Sequence, residues 1–186
     1  MIITNLQKQE FVKRLRKADS TLRQAVLKIS VSEGAPVGDF SFMNDDDFFF
    51  NFIKEVNTVK ICNDNVRSCF TTDYIRTLSG NNWSVYDRKN SILTNDGMAY
   101  GWDTSFCSAF ASGVSEEDAK NCIGRFIVDV NGERNPNQFG YDVFFFLVVD
   151  TKGIVPAGNH NDSNCNRKGT GGNCAAKVLK EDRISY

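Results

Sequence analysis

The sequence has few of the residues on which enzyme chemistry depends. It contains one histidine, His160, in 186 residues, and this histidine stands alone in a segment rich in glycine and asparagine. Serine and cysteine nucleophiles usually need a neighbouring base. No two cysteines have the C-x-x-C spacing of zinc knuckles and redox motifs. We therefore expect that the protein is not an enzyme.

The sequence also lacks a charge excess and a long apolar run. Its 22 Lys and Arg residues nearly balance 23 Asp and Glu residues, which leaves a net charge of −1, whereas a nucleic-acid-binding protein needs a basic surface. No run of about 18 or more apolar residues occurs, and Met1-Ile2-Ile3 is too short for the hydrophobic region of a signal peptide. We expect no nucleic-acid partner and no transmembrane helix within this sequence.

What the sequence does contain is a long amphipathic helix, predicted from Asn5 to about Ser32. Apolar residues recur there at alternating steps of 4 and 3, which matches the period of an α-helix, about 3.6 residues. They form one narrow stripe, as expected of a helix that packs lengthwise on the rest of the chain. We expect the helix to continue upstream of Met1, and we name its stripe the assembly stripe: Phe11, Leu15, Ala18, Leu22, Ala25 and Ile29.

The rest of the chain predicts one more helix and an antiparallel sheet. A breaker over residues 33–38 ends the first helix, and a second helix begins near Asn44, with one apolar face formed by Phe48, Phe49, Phe52, Ile53, Val56 and Val59. Asn95-Asp96-Gly97 is a strong hairpin turn. Strands are predicted at residues 83–87, 91–94, 98–102, 123–130, 141–150 and 154–156, and a loop or one-turn helix at 115–118.

These elements predict a single α+β domain, with a long N-terminal helix packed on a twisted antiparallel sheet. Residues 1–32 form the helix, 33–82 hold the second helix, and 83–186 hold the sheet and a C-terminal cysteine loop. The unbroken apolar run within residues 141–150 belongs in the centre of the sheet, because an exposed run of this kind would aggregate.

The six cysteines fall into three pairs that are close in sequence: Cys62 and Cys69, Cys107 and Cys122, and Cys165 and Cys174. Six thiols permit many connectivities, and the sequence alone does not choose among them. We favour pairing of nearest neighbours, because each pair brackets a plausible loop. Several of these cysteines stand among polar residues, where a buried reduced thiol would be out of place. We therefore expect disulfide bonds and an oxidising compartment.

One dense polar segment, residues 129–142, joins the two best predicted strands, and we call it the polar connection. Asp129, Asn131 and Asp142 carry the oxygen atoms that Ca²⁺ prefers, and glycines permit the turns. The segment lacks the acidic residue that ends an EF-hand loop, so that motif does not match. Alternatively, these side chains only order the connection by hydrogen bonds to backbone amides. We favour the second interpretation and expect no cofactor, with Ca²⁺ left open.

The predicted N-terminal helix is basic. Its acidic residues, Glu10 and Asp19, are outnumbered by its basic residues: Lys8, Lys13, Arg14, Arg16, Lys17, Arg23 and Lys28. A charge run is usually a solvated helix face. The functional alternative is that this face meets acidic patches on neighbouring copies, for example Asp39 and residues 45–47. Charge complementarity of that kind sets register and orientation more than affinity.

Two stretches carry a family resemblance. One runs from Asn5-Leu-Gln-Lys-Gln-Glu to Leu22-Arg-Gln-Ala. The other runs from Phe126 through the pattern D-x-N-G-x-x-x-P-N-x-x-G-x-D, which begins at Asp129 and ends at Asp142, and is followed by Lys-Gly-Ile-Val-Pro and the terminal cysteine loop. Both resemble the globular part of type IV pilin-like proteins, close to the pseudopilins of type II secretion.

The resemblance implies a structural subunit of a type IV pilus or a type II secretion pseudopilus. Its partners would be copies of itself, other pilin-like subunits and an inner-membrane assembly platform. The family also implies a methylated apolar segment ahead of this sequence, which would be the only contact with the membrane. The globular part would then lie in the periplasm or in an extracellular pilus at the cell surface.

The alternative is a secreted or cell-surface binding module for carbohydrate or a host surface. Trp83, Tyr86, Tyr100 and Trp102 would form its stacking platform, although aromatic residues on antiparallel strands more often belong to a core. The gene sequence upstream of Met1 distinguishes the filament subunit from the binding module. A short basic leader ending in glycine, followed by an apolar stretch with an early glutamate, favours the filament subunit, whereas a cleavable secretory signal favours the module.

Overall fold

The fold places one long helix on a sheet of six antiparallel strands. A computed structural model describes residues 3–34, 45–62, 69–70, 74–84, 90–104, 107, 112–132, 134–150 and 152–186. The helices are α1 (Asn5–Glu33), α2 (Asp45–Glu55), α3 (Glu116–Lys120) and α4 (Ala175–Glu181). The strands are β1 (Thr58–Cys62), β2 (Tyr74–Arg76), β3 (Asn82–Ser84), β4 (Asn90–Thr94), β5 (Ala99–Asp103), β6 (Cys122–Asp129), β7 (Val143–Val149) and β8 (Gly153–Pro156).

Helix α1 has defined ends and one buried side. A capping box between Thr4 and Gln7 satisfies amides of its first turn, and Gly34, with φ 66°, ends it in the left-handed conformation. All six residues of the assembly stripe are buried, the most exposed being Phe11 at 4%. They pack with β8, α2 and α4 on one face of the sheet. Although α1 has 29 residues, no helix in the described part of the chain has the sustained apolar sequence needed to cross a lipid bilayer.

The sheet has the strand order β1-β4-β5-β6-β7-β8, and β2 pairs with β3 in a separate two-stranded sheet. Strand β7 is buried along its whole length, and Phe146 lies opposite Phe126 of β6. Because side chains alternate between faces, Phe144 and Phe146 join the core under α1. Phe145 and its alternate neighbours join a second core on the other face. This two-sided burial explains why the segment is apolar without a break.

The predicted α+β class is confirmed. The hairpin is also present as β4 and β5, with Gly97 at φ 76° in its turn. The strands predicted at 123–130 and 154–156 correspond to β6 and β8, and the segment 115–118 begins the short helix α3. Strand β7 starts later than predicted, at Val143, because Asp142 lies in a turn and accepts backbone amides there.

Several local predictions are wrong. Helix α2 ends at Glu55, and Val59 belongs to the edge strand β1, where it is 62% exposed. Thr58 and Ile61 of β1 are also β-branched and pair with β4, so strand pairing overrides the helical period. Strand β2 and helix α4 were not predicted. The strand predicted at 83–87 is β3 at Asn82–Ser84, and residues 85–87 lie outside the described residues.

The three disulfide bonds join nearest neighbours in sequence, which is the pairing that we favoured. Their Cα–Cα distances are 6.1 Å for Cys62–Cys69, 5.7 Å for Cys107–Cys122 and 5.0 Å for Cys165–Cys174. All six cysteines are used in this way. The last bond fastens a long irregular segment to the start of α4.

Candidate functional site

The assembly stripe lies inside the subunit and faces its own sheet. Leu15, Ala18, Leu22 and Ala25 are 0% exposed. A second copy of the protein therefore has no access to the stripe. Any contact of α1 with a partner must use its opposite face.

That opposite face carries exposed apolar residues. Leu6 is 79% exposed, Leu27 51% and Val31 75%. Leu27 and Val31 are four residues apart, so they are neighbours on the helix surface. Phe50 of α2 is also exposed, at 59%, and the Lys54 ammonium lies 4.3 Å from the centroid of its ring. We call Leu6, Leu27 and Val31 the outer face of α1.

The basic residues of α1 mostly bind groups of the same subunit. Six of them contact a carboxylate or a backbone carbonyl: Lys8, Arg14, Arg16, Lys17, Arg23 and Lys28. The pair Lys17–Asp96 measures 2.8 Å and the pair Arg16–Asp182 2.7 Å. Such exposed pairs orient α1 more than they stabilise it. Only Lys13 makes no such contact with the described residues.

The acidic patch predicted as its partner is described only in part. Residue 39 and the side chains of residues 45 and 46 lie outside the described residues, and the side chain of Asp47 is exposed. The hypothesis of charge pairing between copies therefore stays a prediction, and on the α1 side it depends on Lys13.

The polar connection is ordered by two aspartates that accept backbone amides. Asp129 Oδ1 accepts from the amides of Asn131 and Gly132, at 3.1 and 2.9 Å. Asp142 accepts from the amides of Asn137 and Gln138, at 2.8 and 2.7 Å. These are the hydrogen bonds of the interpretation that we favoured. They close the turn between β6 and β7.

Both carboxyl groups are held away from water. Asp129 is 1% exposed and Asp142 0%. Burial, and then the nearby charge of Asp142, raise the pKa of Asp129 well above its ordinary value. Burial also raises the pKa of Asp142 to about 7, although the amides of Gln138 and Asn137 lower it. The connection therefore resists carrying two negative charges at once.

The predicted aromatic platform is not present. Tyr100 and Trp102 are 1% and 3% exposed and pack under α2, where the Trp102 and Phe48 ring centroids are 4.7 Å apart. Trp83 lies on the opposite side of the sheet, with its ring centroid 5.2 Å from that of Phe139. Tyr86 lies outside the described residues. Tyr100 and Trp102 belong to the core under α1, and Trp83 packs against the second core.

His160 is exposed and lines a cavity of about 290 Å³ with Asp162 and Lys177. Lys177 Nζ lies 3.0 Å from Asp162 Oδ2, so that carboxylate is engaged with the lysine. The described residues that line this cavity include no serine, threonine, cysteine or tyrosine. Among the described lining residues, His160 therefore has no side-chain hydroxyl or thiol beside it.

The sequence analysis missed a groove beside the polar connection. It has a volume of about 400 Å³, and its polar lining includes Tyr74, Arg76, Asn135 and Gln138. Ile3 closes one side. The groove forms because β2 pairs with β3 and Gln138 forms a bridge with Arg76. No sequence pattern indicates that these distant segments meet.

Comparisons with known proteins give no family for this chain. No protein-family model, no curated protein and no solved structure matches it. Among the described residues, no group of three or more His, Cys, Asp or Glu side chains is arranged to hold a metal ion. The function must therefore be argued from the geometry of the chain itself.

Proposed function

We propose that the protein is a structural subunit of a filament, of the type IV pilin or type II secretion pseudopilin kind, and that copies pack through α1. One observation carries the proposal. A 29-residue helix docks on the sheet by a single stripe, and its opposite face keeps Leu6, Leu27 and Val31 exposed. Adjoining exposed apolar side chains, such as Leu27 and Val31 one turn apart on α1, are the kind of patch through which a protein meets another protein.

The contact would repeat from copy to copy. In this proposal the outer face of α1 meets a different patch on the next subunit, because a contact of the face with itself would give a closed dimer. A contact between unlike patches propagates and builds a helical filament when it does not close into a ring. Lys13, between Leu6 and Leu27 in sequence, supplies the charge that would orient the next copy.

The structure of α1 sets one requirement for this function. Thr4 is in an extended conformation, with φ −74° and ψ 160°, and caps the helix together with Gln7. A helix that continues into a membrane-anchored segment requires Thr4 to become helical. The proposal includes this change, together with an oxidising location in the periplasm or outside the cell, which the three disulfide bonds support.

Cysteine cross-linking tests the proposal. Because all six cysteines of this sequence form disulfide bonds, Leu27→Cys or Val31→Cys adds one free thiol to it. The protein is expressed with its native upstream sequence in its own host and treated with a bis-maleimide. We expect cross-linked dimers, because one free thiol per chain allows the bis-maleimide to join only two neighbouring copies. The control is Glu117→Cys in α3, exposed on the other side of the sheet, which should leave monomers.

Monomers at both outer-face positions, in cells that express the protein, would overturn the proposal. An upstream gene sequence that encodes a cleavable secretory signal in place of an apolar anchor would do the same.

The alternative function, a secreted or cell-surface binding module, has one observation in its favour. The groove beside the polar connection offers a half-exposed tyrosine, Tyr74 at 44%, next to Arg76 and the amides of Asn135 and Gln138. Aromatic and amide groups of this kind suit a carbohydrate. Binding on a glycan array that is lost in Tyr74→Ala, together with a secretory signal in the gene, would favour this alternative.

A further inference from the structure

The groove beside the polar connection contains one basic side chain and, among the described residues that line it, no acidic one. The basic side chain is that of Arg76, which is exposed. Its guanidinium forms neither an ion pair nor a hydrogen bond with any residue that the structure describes. The groove therefore offers an uncompensated positive charge and several N–H donors to a ligand.

The backbone of Arg76 is fixed, so its side chain starts from a defined position. The Arg76 amide donates to the carbonyl of Asn137 at 2.9 Å, and the Arg76 carbonyl accepts from the amide of Phe139 at 2.9 Å. On its other side, β2 pairs with β3. An extended peptide binds by adding a strand to an unpaired sheet edge, and the backbone groups of Arg76 are already used. The groove must recognise its ligand through side chains.

Tyr74 lies beside Arg76 on the same face of β2. The two residues are exposed, and Ile75 between them is buried. Because side chains alternate between the faces of a strand, Tyr74 and Arg76 start from positions about 7 Å apart on one face. Both line the groove, where Tyr74 is 44% exposed. A sugar ring against the tyrosine ring can therefore reach the guanidinium with a group that the sugar carries.

The polar groups of the groove indicate what such a ligand carries. The planar guanidinium of an arginine matches the oxygen atoms of a carboxylate or a phosphate through two parallel hydrogen bonds. Asn135 is exposed and lines the same groove, and a side-chain amide can donate to and accept from hydroxyl groups. An anionic group, hydroxyl groups and an apolar ring face occur together in anionic sugars.

We propose that the groove binds an anionic sugar, a pyranose that carries a carboxylate or a phosphate. Arg76 binds the anionic group, the ring of Tyr74 packs against the sugar ring, and the amide of Asn135 binds hydroxyl groups. The volume of about 400 Å³ is within the range of small-molecule sites. The proposal names the ligand class of the binding-module alternative and rests on that alternative. It does not depend on the outer face of α1, so a filament subunit can carry the same site.

The test is a titration of the purified, isotopically labelled protein, with its disulfide bonds intact, observed by NMR of the backbone amides. The probes are sodium glucuronate and glucose 6-phosphate, and the tighter of the two identifies the anionic group. Glucose presents the ring without the charge, and acetate presents the charge without the ring. We expect saturable shifts of amides around Arg76 and Gln138. One anionic sugar should bind at least about tenfold more tightly than glucose and acetate.

Variants assign the charge and the ring to their residues. Arg76→Gln removes the charge, so its affinity for the anionic sugar should fall to within about twofold of that for glucose. Tyr74→Ala should weaken the binding of glucose and of the anionic sugar by similar factors. The control Arg167→Gln removes an equal charge at an exposed arginine outside the described lining and should leave both affinities unchanged. Each variant should keep Tm within about 2 °C of the wild type, because these side chains are exposed.

Two results would overturn the proposal. One is the absence of saturable shifts with both anionic sugars in large excess. The other is a preference for the anionic sugar over glucose that persists in Arg76→Gln, which would place the anionic group elsewhere. Equal affinities for glucose and both anionic sugars would also refute the anionic ligand, but would leave the carbohydrate-binding alternative in place. Cross-linking through Leu27 or Val31 tests the filament function separately.

Discussion

Arg16 Nε lies 2.7 Å from Asp182 Oδ1, and Arg16 Nη2 donates to the carbonyl of Leu179 at 3.1 Å. One arginine of α1 thus holds both the residue that follows α4 and a carbonyl near the end of α4. A cation at a helix C-terminus is stabilised by the unpaired carbonyls there. The beginning and the end of the chain are therefore fastened to each other.

We predict that the Arg16–Asp182 contact contributes little to the free energy of unfolding. Arg16 and Asp182 are both exposed by half or more, and pairs of this kind contribute about 0–1 kcal/mol. A double-mutant cycle of Arg16→Met and Asp182→Asn, measured by urea unfolding, should give a coupling energy in that range. This coupling energy should be smaller in 1 M NaCl. A coupling of several kcal/mol would show that the contact is better shielded from water than its exposure indicates.

The buried stripe of α1 should matter far more than its outer face. Leu22 is 0% exposed, whereas Leu27 is 51% exposed on the same helix. Leu22→Ala should lower the free energy of unfolding by about 2–5 kcal/mol, because it removes transfer energy and leaves a cavity. Leu27→Ala should change it by no more than about 0.5 kcal/mol. Equal effects of the two substitutions in chemical unfolding would contradict the docking of α1.

Alanine substitutions at two glycines distinguish the cost of backbone strain from the cost of a steric clash. Gly97 and Gly132 both have positive φ, 76° and 60°. A Cβ on Gly97 meets nothing within 4 Å, but a Cβ on Gly132 would lie 2.4 Å from the Gly97 carbonyl oxygen. Gly97→Ala should therefore lower stability by about 1–2 kcal/mol, and Gly132→Ala by clearly more. Thermal unfolding of the two variants decides this, and an equal loss would refute the predicted clash.

Stability should depend on pH through Asp96. Burial would raise its pKa, but hydrogen bonds from Lys17 and Thr94 outweigh burial and hold the pKa below the ordinary value of 3.8. The stabilisation from the ionised group is present above that value and is lost as the pH falls through the lowered pKa. Asp96→Asn should thus be less stable than the wild type at pH 7.

The difference in unfolding free energy between the wild type and Asp96→Asn should narrow as the pH drops below about 4 and vanish at lower pH. Urea unfolding of both proteins across this range measures it. A difference that stays constant with pH would show that the ionised form of Asp96 is not favoured by folding.

The Cys165–Cys174 bond should stabilise the C-terminal segment. It closes a loop with a sequence separation of 9 residues, and such a loop contributes about 2–3 kcal/mol, largely by restricting the unfolded chain. The double variant Cys165→Ser with Cys174→Ser should lower Tm by several degrees, because each kcal/mol corresponds to about 2–4 °C in a chain of this size. An unchanged Tm would mean that the loop is held by its hydrogen bonds alone.

The predictions of secondary structure from the sequence were most accurate where one local pattern of residues decides the structure. The steps from Phe11 to Ile29 identified a helix and its buried side, and Gly97 identified the hairpin turn. The predictions were least accurate near Val59, where helix and strand periods both fit a few residues. They also missed α4, although Ala175 and Val178 are spaced as on one side of a helix among good helix formers.

The candidate sites show the same division. Local sequence indicated that Asp129 and Asp142 belong together, because both flank one connection between strands. It did not indicate that their charges are buried, since burial depends on how the neighbouring segments pack. The groove between Tyr74 and Asn135 had no local signal, because its walls come from segments that only tertiary contacts bring together.

By itself, the sequence determined the α+β class, the buried side of α1 and the burial of β7, because each follows from spacing over a few residues. Only the tertiary structure decided that six basic residues of α1 bind their own subunit, that Tyr100 and Trp102 are core residues, and that the carboxyl groups of Asp129 and Asp142 are buried in one connection. Those facts depend on contacts between residues far apart in the chain, which no local pattern encodes.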